Sequence, residues 1–183
     1  MRIATMGIET IDPEKFQNNG DTFLNKPRFG LYGSTLIKEN SNLRTGWLDF
    51  IFGDWQEKSK KYSKGISYTL HKKSKIFTID SIEDYIELLE KYNERIHAYD
   101  NRYRISIDWN EFARDYDAFH LTEDAFWELR MIYTEQNNED GTVDRLEDFY
   151  SYDCETWIIF NLDCINMGSV YNIHIKDYYG YID

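Results

Sequence analysis

Tyr150-Ser151-Tyr152-Asp153-Cys154-Glu155-Thr156-Trp157-Ile158-Ile159-Phe160-Asn161-Leu162-Asp163-Cys164-Ile165 is the stretch on which the reading of this chain turns. An acidic, aromatic turn runs into four apolar residues, Trp157 to Phe160, which end at Asn161 and Asp163. Apolar runs of this length, rich in β-branched and aromatic side chains and bounded by turn formers, read as a strand buried on both faces. Asp153 and Glu155 stand two apart at its mouth, a spacing that in extended geometry sends both carboxylates to one side. Carboxylates held together at the rim of a core strand call for a cation, a path to solvent or a catalytic use.

Working outward, 183 residues with 42% hydrophobic and 17% aromatic content predict one domain, 1–183, with a substantial core. The 15 Tyr, 11 Phe and 5 Trp can build that core and can also wall a pocket for a flat ligand. Net charge is −12 and unevenly placed: 13 Lys/Arg against 8 Asp/Glu in residues 1–75, and 8 against 25 in residues 76–183, or +5 and −17. So acidic a second part argues against a non-specific DNA binder, which needs a basic face. Lys58, Lys60, Lys61, Lys64, Lys72, Lys73 and Lys75 form the one basic cluster, read either as a solvated loop and strand edge or as a landing site for a phosphate or an acidic partner. Cys154 and Cys164 give no metal spacing and read as reduced thiols. No leader or membrane span is visible, so a cytoplasmic, membrane-free protein is expected.

Strands are expected at Arg2–Ile8, Phe29–Ile37 (broken by Gly33-Ser34), Gly65–Leu70, Lys75–Ile79, Arg102–Ile107, Tyr116–Leu121 and Val170–Ile175. Helices should follow Thr45, Ser81, Asp108 and Thr122, each a capping residue, the last helix running to about Tyr133. The Ser81 helix shows a stripe of Ile82, Tyr85, Ile86, Leu89 and Tyr92. Turns are expected at Asn18-Asn19-Gly20 and His71–Ser74, and an acidic loop over 134–149. Within that loop, residues 136–147 echo a calcium loop but begin with Gln136, so an ordinary turn is the better reading. Short strands with inserted helices suggest α+β. No dinucleotide, P-loop, zinc or nucleophile-elbow motif is present, and the four histidines lack ligand spacing.

Three pieces in order carry a resemblance: Lys26-Pro27-Arg28-Phe29-Gly30-Leu31-Tyr32-Gly33-Ser34-Thr35, then Tyr116-Asp117-Ala118-Phe119, then Asp153-Cys154-Glu155-Thr156-Trp157-Ile158-Ile159-Phe160-Asn161. Together they resemble the ADP-ribosyltransferase fold, in the small stand-alone form common in phages and bacteria. Ile66–Leu70 and Lys75–Asp80 look like the hairpin that follows its first motif. The resemblance implies two packed, mainly antiparallel sheets with inserted helices, and NAD as substrate in the cleft between them. It further implies transfer of ADP-ribose to a macromolecular, expected protein, target. Glu155 would stabilise the oxocarbenium-like ribose, and Asp153 would orient the acceptor. Tyr32, in place of the family's His or Arg, with Gly33, Ser34 and Arg28 would hold NAD, and Tyr152 would meet the acceptor. Ala118 replaces a glycine of the middle motif. Two alternatives stay open: a catalytically silent member of that fold acting by binding, or an acidic inhibitor that imitates nucleic acid and covers a basic surface of a host or defence protein.

Overall fold

The computed structural model describes residues 1–16, 22–23, 26–39, 42–54 and 64–174, with backbone alone at 22–23, 38–39, 42–43 and 52–54. The expected turn at Asn18–Gly20, the lysines 58, 60 and 61, and Ile175 lie outside them.

In chain order the strands are β1 (Ile3–Met6), β2 (Thr22–Phe23), β3 (Lys26–Pro27), β4 (Leu31–Thr35), β5 (Ile37–Glu39), β6 (Asn42–Arg44), β7 (Lys64–Tyr68), β8 (Ile76–Ile79), β9 (Asn93–Tyr99) and β10 (Arg102–Ile107). They continue with β11 (Ala118–Leu121), β12 (Glu135–Asn137), β13 (Val143–Leu146), β14 (Thr156–Ile159) and β15 (Tyr171–His174). The helices are α1 (Gly46–Asp54), α2 (Ile82–Tyr92), α3 (Trp109–Asp115) and α4 (Glu123–Leu129). A seven-stranded sheet runs β15-β7-β1-β4-β14-β11-β8, and a four-stranded one runs β12-β13-β10-β9. Pairing is antiparallel except β8 with β11 and β10 with β13, so the α+β class and the mainly antiparallel sheets are both observed.

β14 is central in the large sheet and buried over all four residues, as its composition demands. Alternation sends Trp157 and Ile159 to one face, with Ile3, Leu31, Ile66 and Tyr68, and Ile158 to the other. That second face carries the helices. Tyr85 and Leu88 of α2, Phe112 of α3 and Phe126 of α4 pack there with Phe119, Phe149 and Tyr152. α2 joins the two sheets, packing against β8 of one and β9 and β10 of the other.

The caps work as their residue types require. Thr45 Oγ1 accepts from Leu48 N at 3.0 Å, Asp108 from the backbone N–H groups of Asn110 and Glu111, and Thr122 from Ala125 N. Ser81 accepts from Asp84 N, while Asp84 accepts in return from Asp80 N and from the Ser81 hydroxyl.

Four expectations are corrected. β7 and β8 are not a hairpin; they lie near opposite edges of the large sheet. The connection between them is held by residues far along the chain, through His71 N to Cys164 O and Thr69 N to Ser169 Oγ, and so crosses the sheet instead of folding back. The acidic segment 134–149 contains the β12–β13 pair, closed by a turn in which Gly141 takes a positive φ and Asp140 accepts from Thr142. Its pairing with β10, far off in sequence, overrides a composition that reads as loop. Ile86 is 49% exposed, and Leu88 takes the buried place on α2. The helix expected to run from Thr122 to about Tyr133 stops at Leu129.

Candidate functional site

The β4–β14 ladder pairs Leu31 with Ile159, Tyr32 with Ile158 and Gly33 with Trp157, then ends. Side chains take over beyond it. The Ser34 hydroxyl donates to the Glu155 carbonyl at 2.9 Å, Thr35 N to Glu155 Oε2 at 2.9 Å, and the Thr35 hydroxyl to Glu155 Oε1 at 2.6 Å. Residues 154–155 form a bend rather than a strand, and here the expected pairing of carboxylates fails: Asp153 and Glu155 serve different faces of the sheet. Glu155 turns to the face of Thr35 and Trp157. The residue is 9% exposed, and its carboxylate also accepts from His120 Nε2 at 2.8 Å. The His120 ring stacks on the Trp157 indole with centroids 3.9 Å apart, and Trp157 Nε1 donates to the Thr35 hydroxyl at 2.9 Å. A carboxylate with donors on both oxygens, in a network whose members are each bonded, is a structural clamp between β4, β14 and β11.

Asp153 goes the other way. The β1–β4 ladder covers only Ile3–Thr35 and Ala4–Ser34; past it the Thr5 hydroxyl reaches the Tyr32 carbonyl at 2.7 Å. Beside this junction lies a cavity of about 410 Å³. It is lined by Tyr32, Gly33 and Ser34 of β4, by the apolar side chains of Met6, Phe16 and Trp47, and by the polar ones of Lys26, Asp153 and Cys154. The size suits a small organic ligand, and so does a mostly apolar lining with a few convergent polar groups. None of its lining residues comes from the four-stranded sheet, so this cavity lies on the large sheet and not between the two.

The other expected site residues divide. The Tyr32 hydroxyl donates to the Pro27 carbonyl, and burial pushes its phenol well above its usual pKa. Gly33 has a packing reason for its identity: a Cβ there would come within 2.6 Å of Ile3 Cγ2 and 2.9 Å of the Ala4 carbonyl. Arg28 is exposed and does not line the cavity. Tyr152 corrects an expectation outright, since it is fully buried in the helix-side core and presents nothing to an acceptor.

Cys154 and Cys164 are free thiols. Burial, with the nearby Glu155 and Asp153 charges and against the Ser34 hydrogen bond, pushes the Cys154 thiol up to about 12. It is therefore a poor nucleophile at neutral pH. Burial also raises the Asp153 carboxyl, against the pull of Lys26 and Arg130, and lowers the Lys26 ammonium.

Sequence reading missed Lys26, which lines the cavity, and His120, which bonds Glu155. For His120 a signal existed: alternation along Ala118-Phe119-His120-Leu121 places it on the face of Ala118, away from the helices. Among the described residues no group of acids, histidines and cysteines could hold a metal, and no helix is long and apolar enough to cross a membrane. Compared with known protein families, curated proteins and solved structures, the chain matches none.

Proposed function

We propose that this chain is a ligand-binding protein that takes the nicotinamide-ribose part of NAD, or a ligand of similar shape, in the cavity beside Tyr32–Ser34. It is thus a transferase-like scaffold used for binding rather than for transfer. The observation that carries this reading is the position of Glu155. The carboxylate that transfer of ADP-ribose would require next to the ribose faces away from the cavity and is saturated by Thr35 and His120. Stabilising an oxocarbenium needs a carboxylate aimed at the reacting carbon, and turning Glu155 inward would strip three bonds from a buried group.

Transfer itself is the second reading, favoured by the gathering of Tyr32, Gly33, Ser34 and Asp153 around one cavity. In that case Asp153 is the carboxylate on the ligand's side. The bond from ribose C1 to nicotinamide breaks, nicotinamide leaves, and the target's nucleophile bonds to C1 as it gives up its proton. One experiment separates the two: labelled NAD is incubated with cell lysate and the protein, and NAD binding is followed by its effect on Tm. Binding alone predicts a raised Tm with no label transferred. Label on a macromolecule, lost in Asp153→Asn, favours the transferase. A Tm unmoved by NAD, with no label transferred, overturns both.

A further inference from the structure

The outer side of α4 carries side chains that a surface helix ordinarily buries. Trp127 is 62% exposed, and Met131, in the turn that follows the helix, 73%. Tyr133 and Tyr150 are also more than half exposed. Two arginines join the three rings into one patch. The Arg130 guanidinium carbon lies 5.5 Å from the ring centroids of both Trp127 and Tyr150. Tyr150 N donates to Asp148 Oδ1 at 3.0 Å, and Asp148 Oδ2 lies 3.7 Å from Arg145 Nη2. The Arg145 guanidinium carbon in turn lies 4.9 Å from the Tyr133 centroid. Trp, Tyr, Met and Arg are the residues that protein interfaces concentrate, and contiguous exposed apolar groups mark a surface that a partner covers.

The rim of this patch is acidic. Glu123, Asp124 and Glu128 are exposed on α4, and none of the three carboxylates has an ion-pair or hydrogen-bond partner among the described residues. Asp124 and Glu128 are like charges four apart, and Glu128 lies in the last turn, where the helix dipole disfavours a negative charge. These choices work against the helix and so point to a use outside it. With Asp148, four carboxylates stand against Arg130 and Arg145, a net charge of −2. A second copy of the chain would bring a net charge of −12 and, across a two-fold axis, set the same carboxylates face to face. A cationic surface meets no such opposition.

We propose that the outer side of α4, with Tyr133 and Tyr150, is a docking surface for a basic protein partner. Apolar side chains of the partner pack on Trp127, Met131 and the two tyrosines, and its Lys or Arg rim faces Glu123, Asp124 and Glu128. None of these residues lines the cavity beside Tyr32–Ser34, so the surface goes beyond the binding reading above and does not rest on it.

Three labelled helical peptides of equal length test this against the full chain by fluorescence anisotropy: an amphipathic one of Leu and Lys, its Leu and Glu counterpart, and one of Ser and Lys with the same positive charge. The Leu/Lys peptide should bind about tenfold or more tighter than either of the others, and added salt should weaken it. Trp127→Ser should cost about tenfold in affinity and Glu128→Gln about threefold, both variants being checked for an unchanged melt. Glu139→Gln, an exposed acid in the β12–β13 turn, should cost nothing. Equal binding of the Ser/Lys or the Leu/Glu peptide, no binding of the Leu/Lys peptide, or binding indifferent to both α4 substitutions overturns the surface. So does a wild-type dimer in sedimentation that Trp127→Ser dissociates, which would give the patch to a second copy.

Discussion

Asp153 and Glu155 are two residues apart, both acidic, both next to the central strand, and they enter environments of opposite character. Around Glu155 each polar group has its partner: Thr35 through N–H and hydroxyl, His120 through Nε2, Trp157 through Nε1. Around Asp153 partners are scarce, with Lys26 on one long hydrogen bond and Ser151 Oγ, two residues away in the chain, on none. Networks closed on themselves hold a fold together, and their members are expensive to remove. Buried polar groups left open cost stability and persist where they serve a ligand, the usual trade between stability and activity. The carboxylate that the resemblance would make catalytic is bonded to Thr35 and His120, and its neighbour is the one that faces a cavity.

The contrast can be broken by substitution, most severely on the closed side. Glu155→Ala leaves Thr35 N–H and His120 without their acceptor and should destabilise the fold by about 3 kcal/mol. At this chain length that is roughly 6–12 °C in Tm. A thermal melt with a smaller loss would mean that the network is loose. Trp157→Phe keeps a ring under His120 but removes the indole donor to Thr35, and should cost about 1 kcal/mol by chemical denaturation.

On the open side effects are smaller and some change sign. Cys154, with a thiol pushed up to about 12, should resist iodoacetamide at pH 8 in the native state and react at an ordinary rate once unfolded. Rapid native alkylation would show a more open, better solvated cavity. The Asp153 carboxyl is raised by burial, so its charged form weakens the folded state. The stability it contributes is present at low pH and is lost as pH rises through the raised value. Asp153→Asn should therefore melt slightly above wild type at pH 7, within about 2 °C, with the gap closing as pH falls toward 4. A gap that widens on acidification would mean that Asp153 is held charged by Lys26 and Arg130 after all.

Local chemistry made much of this fold legible in advance. The β14 run, the alternation of β10, and the caps at Thr45, Ser81, Asp108 and Thr122 all announce themselves within a few residues. What stayed hidden depends on contacts distant in sequence. Nothing near His71 says that Cys164 will hold it, so β7 and β8 read as a hairpin. Nothing within 134–149 shows that β13 will lie parallel to β10. The site was half legible, since Tyr32–Ser34 and Asp153 do meet. Period-two spacing failed at 153–155 because residues 154–155 bend, and Tyr152 was misread because aromatic residues in a turn serve a core as readily as a surface. Lys26 gave no signal of its own, as only the fold brings it to the cavity that Asp153 lines.

The most direct test compares Glu155→Gln with Lys26→Met by thermal melting at pH 7. A closed clamp beside an open, ligand-ready site predicts opposite signs. Glu155→Gln should fall by several degrees, about 1–3 kcal/mol. Lys26→Met, which removes a buried charge that burial disfavours, should melt at or above wild type. If Lys26→Met falls as far as Glu155→Gln, Lys26 is part of the structural framework and the distinction between the two sides of Tyr150–Trp157 is wrong.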